Sequence, residues 1–283
     1  MEEKLYEYDD LIANHYNNEA QKHGLSSSST MPDNMIRKKE TEAVIHFLKE
    51  TIEYFSSFGY SKKIEILEIG CGNGYLFSQL GPSFPKVNFT GVESNEEMFE
   101  LAKSRFSESK NVTIAKEDIR NKGFINDRKF DIIISQRVFI NILDRNDQEV
   151  ALKNVISALR AKTKNHPGGR IIAIESFIEP LENLNKARTE LDLPPTKPQY
   201  HNLYLDNSFF QVKELRLYQS SNTTYLSPNF LSTNYFIARV LYPLLKGDKS
   251  ISRNSELVNF FVSALKENIG DYAPLKVYTF VKV

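Results

Sequence analysis

The stretch from Ile64 to Leu80, IEILEIGCGNGYLFSQL, constrains the fold more than any other part of the chain. The apolar run Ile64-Glu65-Ile66-Leu67-Glu68-Ile69 reads as a buried strand. It breaks into a glycine-punctuated loop, Gly70-Cys71-Gly72-Asn73-Gly74, and a helix begins on Tyr75-Leu76-Phe77. Glycine lets the backbone turn tightly and admits a ligand where a Cβ would obstruct it. Amides at the helix start then face that ligand. Strand, glycine loop and helix in this order point to a nucleotide-type ligand on an α/β sheet, against the plainer reading of an ordinary glycine turn.

The spacing narrows the ligand. A dinucleotide fingerprint has G-x-G-x-x-G, with the pyrophosphate on the helix N-terminus. Here the order is Gly70-x-Gly72-x-Gly74, preceded by Glu68. The pattern E-x-G-x-G-x-G resembles motif I of the class I S-adenosylmethionine (SAM) dependent methyltransferases. SAM carries a sulfonium and an ammonium, which suit a carboxylate at the strand end; a pyrophosphate would be repelled by it. The resemblance implies a Rossmann-like methyltransferase fold, a mostly parallel seven-stranded α/β sheet with helices on both faces. It implies SAM as cofactor and S-adenosylhomocysteine (SAH) as product, with Glu68, Gly70, Cys71, Gly72 and Gly74 around the ligand. Cys71 reads as a small side chain that fits the loop, not a nucleophile.

Composition bounds the alternatives. The 283 residues are 41% hydrophobic and 25% charged, enough for a substantial core. Lys+Arg and Asp+Glu both number 36, which argues against a nucleic-acid partner held by a basic face. A single cysteine permits no intrachain disulfide and fits a cytoplasmic protein. The start, MEEKLYEYDD, lacks an apolar signal core, and no apolar run is long enough to insert in a membrane.

Taken in order, residues 1–60 form the expected helical lid, 61–176 the cofactor-binding core, 177–210 a substrate-side insertion after strand five, and 211–283 the C-terminal part of the sheet. Residues 1–24 read as a helix with Leu11, Ile12 and His15 on one face. Ser26 to Thr30 reads as a flexible joint, and Pro32-Asp33 opens a second helix to about Phe58. By the resemblance, Tyr16 and Arg37 touch the cofactor. A surface pair between Arg37 and Glu40, one turn apart, is the alternative. Strand Val87 to Val92 ends in Glu93, about 20 positions beyond the glycine loop, where nucleotide folds keep a ribose-binding carboxylate. Ser94-Asn95-Glu96-Glu97 fits a capping box with Ser94 as N-cap.

Strand Asn111 to Ala115 runs into Glu117, Asp118 and Ile119. The resemblance gives Asp118, or failing it Glu117, to the adenine amino group, with a neighbouring amide such as that of Ile119 on the ring. Strand Phe130 to Ser135 is nearly all apolar, as for a strand covered on both faces. Its end, Ser135-Gln136-Arg137, is expected to face the transferred methyl and the acceptor. The Asn/Asp-Pro-Pro-aromatic box of amide and adenine N-methyltransferases is missing there, which favours O-methylation. Asp144 to Ala161 is an amphipathic helix, Arg170 to Ser176 a fifth strand, Leu215 to Tyr218 a sixth, Phe230 to Leu245 and Glu256 to Glu267 helices, and Leu275 to Val283 an antiparallel last strand. The segment Asn234 to Arg239, with the insertion, resembles methyltransferases of bacterial surface-polysaccharide clusters.

Methyl transfer from a sulfonium asks mainly for alignment, and a hydroxyl acceptor benefits from a base. Of five histidines, His201 is the candidate, between Tyr200 and Tyr204; the alternative is a loop histidine that only hydrogen-bonds. Tyr200, Asn202, Tyr204 and Tyr235 are the other acceptor-side residues. Arg137, Arg188 and Arg239 either fork an anionic acceptor or make surface ion pairs. Three functions stay open: an O-methyltransferase of a small polar or anionic acceptor such as a sugar or phosphorylated metabolite, an RNA or protein methyltransferase, and a non-catalytic SAM-fold subunit. No metal-ligand cluster stands out.

Overall fold

The computed structural model describes residues 8–218, 220, 224–247, 255–265 and 267–283. Residues 1–7 of the expected first helix, and residue 266 near the expected end of the last, lie outside them. Seven strands form one sheet in the order β3-β2-β1-β4-β5-β7-β6. They are β1 (Glu65–Ile69), β2 (Asn88–Glu93), β3 (Val112–Lys116), β4 (Ile132–Gln136), β5 (Arg170–Ser176), β6 (Leu215–Leu217) and β7 (Leu275–Lys282). The first five run parallel, and β7 is antiparallel between β5 and β6. This is the expected Rossmann-like methyltransferase fold. The chain turns left from β1 to β2 and β3, then restarts on the right with β4. Their carboxyl ends therefore splay around a crevice, where ligands sit on such sheets.

The alternation of side chains along β1 shows how sequence sets the layers. Ile66 faces a core shared with Val44, Phe47 and Leu48 of α2 (Asn34–Ser57). Leu67 faces the opposite core, with Leu152 and Val155 of α5 (Arg145–Ala158). Phe47 is fully buried, which alone stabilises the fold by about 1.5–3 kcal/mol relative to exposure. Helix α2 starts where Asp33 accepts from the amides of Met35 and Ile36 at 3.1 Å, the Asx cap that Pro32-Asp33 announced. The other helices are α1 (Asp9–His23), α3 (Tyr75–Leu80), α4 (Glu96–Arg105), α6 (Ile178–Glu190), α7 (Ser232–Phe236), α8 (Tyr242–Lys246) and α9 (Glu256–Ala264).

Four local expectations change. Ser26 to Thr30 is an ordered 3-10 turn with Ser29 buried, because its carbonyls and Thr30 Oγ1 receive Arg37 and Asn73. The cap of α4 is Asn95, whose Oδ1 accepts from Met98 N at 3.0 Å, so Ser94 is not the N-cap. The expected helix 230–245 is split by a π-turn at Ile237–Leu241 between α7 and α8. The Arg37–Glu40 pair exists, at 3.9 Å, but both side chains are buried rather than on the surface. Among the described residues no helix is long and apolar enough to cross a membrane.

Candidate functional site

A cavity of about 470 Å³ opens at the carboxyl ends of β1, β2 and β4, beneath α1. Its floor is the glycine loop. Gly70 has φ +58, and a Cβ there would lie 2.7 Å from Val138. Gly74 has φ +74, and a Cβ would meet Phe106 at 2.7 Å. Both glycines are thus required by conformation and by packing. Gly74 does this without lining the cavity, whereas Gly70, Cys71 and Gly72 line it. The Cys71 thiol is buried and pushed well up by burial and the nearby Glu68 and Glu93, so it stays protonated.

The sequence candidates Tyr16, Arg37, Glu68, Glu93, Ser94, Asp118, Ile119, Gln136 and Arg137 all line this one space. Glu93 is held by two amides, Gly72 N at 2.9 Å and Asn95 N at 2.8 Å. Burial still raises its carboxyl above the ordinary value despite those donors. Two donors occupy part of its acceptor capacity and leave lone pairs for a diol. Glu68 is buried at the end of β1, and burial pushes its carboxyl well up, against the pull of Arg37. Burial likewise lowers Arg37 to about 10 and Arg137 to about 9. Among the described residues, three buried polar atoms of cavity-lining side chains have no hydrogen-bond partner, Glu68 Oε2, Arg37 Nε and Gln136 Nε2, as does Glu40 Oε2 behind them. Such buried orphans are costly in a core. Three of them belong to side chains that line the cavity.

Asp118 carries a partner already. Arg120 binds both of its carboxylate oxygens and reaches Asp9 of α1 at 2.8 Å. Helix α1 is fixed over the cavity further along by Asn17, which accepts from Asn95 at 2.7 Å. Its His15 bonds Tyr200 at 3.0 Å and stacks on His201 with ring centres 3.7 Å apart. His201 therefore meets α1 and is not among the cavity-lining residues. Burial and the neighbouring His15 lower its pKa to about 4.

Other candidates serve the frame. Ser135 is fully buried and donates to Glu175 at 2.6 Å. Arg188 is buried inside the C-terminal half, donating to the carbonyls of Pro194, at 2.8 Å, and Arg239. It makes no surface ion pair and is not among the cavity-lining residues. Arg239 stacks on Tyr235 at 3.8 Å, and Tyr204 packs beside Tyr235; none of these lines the cavity. Asn202 reaches it indirectly, through Asn141.

Three residues that were not among the sequence's site candidates matter here. Asn73 ties the glycine loop to the α1–α2 linker, donating to Gly24 O and Ser26 O at 2.8 and 2.9 Å. Glu175 accepts from Ser135 Oγ and from the amides of Val138, Phe139 and Ile140, so it shapes the turn after β4. Glu40, fully buried, holds Arg137 in place. A lone acid within the apolar run of β5 was the available signal for Glu175.

Comparison with known proteins matches residues 66–162 to the family described as a methyltransferase domain. The malonyl-[acyl-carrier protein] O-methyltransferase of Bacillus cereus is 33% identical over 124 residues, 44% of this chain and 42% of that protein. The malonyl-[acyl-carrier protein] O-methyltransferase 1 of Ilyobacter polytropus is 27% identical over 205 residues, 71% of this chain and 68% of that protein. The chain thus spans less than half the length of the first of these relatives. Among solved structures, the plantazolicin methyltransferase BpumL in complex with SAH superposes with TM-score 0.50 at 16% identity, over 96% of this chain and 93% of that one. At that identity the likeness carries the fold alone.

Proposed function

Because this chain carries a class I SAM-dependent methyltransferase domain, we propose that it transfers the methyl group of SAM to an acidic oxygen of a small polar acceptor. The observation that carries this is the set of unpartnered polar atoms around the cavity, Glu68 Oε2 and Arg37 Nε above all. A carboxylate and a guanidinium side by side match an amino-acid moiety, and Glu93 supplies the acceptor for a ribose. When bound, SAM supplies a methyl group on a positively charged sulfur, which an acceptor oxygen displaces to leave the thioether of SAH. The protein's part is alignment and exclusion of water under α1.

An acidic acceptor is already deprotonated near neutrality and needs no general base. A histidine at about 4 is a weak one, so we assign His201 to the lid contact and not to proton removal. Arg137, at the end of β4, gives the cavity a cation on its acceptor side. The names of the relatives favour a carboxylate presented on an acyl carrier protein; phosphorylated metabolites and acidic sugars share the same chemistry.

Calorimetry with SAM, SAH and NAD tests the cofactor, with binding expected for the first two alone. A labelled-methyl assay over malonyl-acyl carrier protein, sugar phosphates, uronic acids and neutral sugars tests the acceptor. Label entering acidic acceptors is the expected result. Label entering only neutral sugars, or failure of SAM to bind, contradicts the proposal.

A further inference from the structure

We infer that the Tyr16 hydroxyl is the hydrogen-bond donor that anchors the acidic oxygen of the acceptor, aimed by a relay of two asparagines. The inference rests on the methyltransferase reading and names how that site recognises its acceptor.

Tyr16, which the resemblance gave to the cofactor and which this inference gives to the acceptor instead, lies on α1 and is half-buried on the cavity wall. Its oxygen is 2.6 Å from Asn141 Nδ2. The direction of this bond is not free. Asn141 Nδ2 is also 2.7 Å from the carbonyl oxygen of Arg137, which can only accept. Asn141 Oδ1 in turn meets Asn202 Nδ2 at 2.8 Å, and that nitrogen lies 3.0 Å from the carbonyl oxygen of His201. Flipping either amide sets oxygen against oxygen, so two backbone carbonyls fix both asparagines. The Tyr16 oxygen must accept, and its own hydrogen must point elsewhere. Among the described residues no acceptor takes that hydrogen.

The relay gathers donors on one side of the cavity. Among the described residues Gln136 Nε2 lacks a partner, and Arg137 stands next to it in the chain. Arg137 has φ +57, a left-handed conformation costly for a non-glycine residue. It is held there by the bond from its amide to Ile174 O, by Asn141 on its carbonyl and by Glu40 on its guanidinium. A phenol, an amide and a guanidinium of which Glu40 takes one nitrogen suit a carboxylate or phosphate oxygen. Both ends of the relay lie on the acceptor side, in the turn after β4 and in the 177–210 insertion. The ammonium, carboxylate and ribose of the cofactor have Glu68, Arg37 and Glu93 as candidate partners.

The test uses the full chain saturated with SAH and malonate as a probe of acidic-oxygen binding, measured by calorimetry. Tyr16→Phe removes the donor. Asn141→Asp puts an acceptor where the relay needs a donor and draws the phenol hydrogen away from the cavity. Each is expected to weaken malonate binding about tenfold or more, the scale of one hydrogen bond to a charged group, with SAH affinity within about twofold of wild type. The double variant is expected to bind malonate no worse than Tyr16→Phe alone, because Asn141 acts through the phenol. A variant that merely loosened the fold would add its own loss and lower the thermal midpoint. The inference is overturned if malonate does not bind the wild-type SAH complex, if Tyr16→Phe binds it normally, or if Tyr16→Phe weakens SAH as much as malonate. Failure of the wild type to bind SAH instead removes the methyltransferase reading itself.

Discussion

The two rims of the parallel sheet treat buried charge in opposite ways. At the rim where β4 begins, Asp131 is fully buried and surrounded: Glu65 N at 2.8 Å, His166 Nε2 at 2.9 Å, Arg160 Nε at 2.7 Å and Tyr60 OH at 3.1 Å all meet its two oxygens. Burial alone would raise its carboxyl, but the bonds from His166, the Glu65 amide and Arg160 leave it below the ordinary value. At the rim where β1 and β4 end, Glu68 is buried too, yet among the described residues one of its oxygens has no partner, and its carboxyl is pushed well up. The first arrangement stabilises the native chain. The second costs stability, the pattern of a site kept for binding rather than for folding. The lower rim has its own exception in Arg170: among the described residues two of its guanidinium nitrogens have no hydrogen-bond partner, but the charge lies between the rings of Tyr54 and Tyr218, each 4.3 Å away.

The largest expected effect breaks the well-paired rim. Asp131→Ala leaves His166 and Arg160 without their shared anion and is expected to cost about 3–5 kcal/mol of stability, read by denaturant unfolding. Folded Asp131→Ala protein should still bind SAH with near wild-type affinity. A loss of only a few tenths would mean that the cluster is incidental.

Next, Glu68→Gln should do the reverse. On the proposed reading it removes the carboxylate meant for the ligand's ammonium, so SAH binding is expected to fall roughly tenfold to a hundredfold. The folded carboxyl of Glu68 lies above its ordinary value, so keeping it ionised at neutral pH works against folding. Removing it should leave the thermal midpoint unchanged or higher. A variant that loses stability and keeps SAH affinity would invert the comparison.

Gly70→Ala tests the loop between those extremes. The left-handed φ and the contact with Val138 together predict a loss of about 1–2 kcal/mol, with SAH binding weakened because the floor must shift. Thermal unfolding and calorimetry on the same sample separate the two effects.

The smallest effect concerns the lid contact and sharpens the reading of His201. Its folded value, about 4, lies below its ordinary 6.5. The unfolded chain therefore takes up the proton first, and stability contributed by the neutral ring falls as pH drops from about 6.5 towards 4. His15, also lowered by burial, acts in the same sense. His201→Gln should flatten this slope by about 1 kcal/mol or less, given the partial exposure of the ring. It should leave methyl transfer at pH 7.5 close to wild type. A large loss of turnover with a shifted pH profile would return the histidine to the role of base.

What the sequence disclosed was whatever is local. The run Glu65–Ile69, the glycine loop and Glu93 carry their own period, spacing and register, and the structure keeps each within a residue or two. The Asp33 cap was visible because a cap lies next to the helix that it starts. The rest depends on contacts between distant segments. Asp131 meets residues 29 and 35 positions away, and Glu175 holds a turn 35 to 37 positions before it. Glu40 looks like an ordinary helix-surface acid, one turn from Arg37, until the sheet covers it. Arg188 fails for the same reason: nothing near it in sequence tells that Pro194 and Arg239 will close around it.

The central claim is that the orphaned polar atoms at the upper rim are the binding groups of SAM. A crystal structure of the protein with SAH tests it most directly. The account predicts the ligand's ammonium on Glu68, its carboxylate on Arg37 and its ribose hydroxyls on Glu93, with none of those groups left unpartnered. SAH bound away from the glycine loop, or Glu68 and Arg37 turning to close on each other over an empty notch, would contradict it.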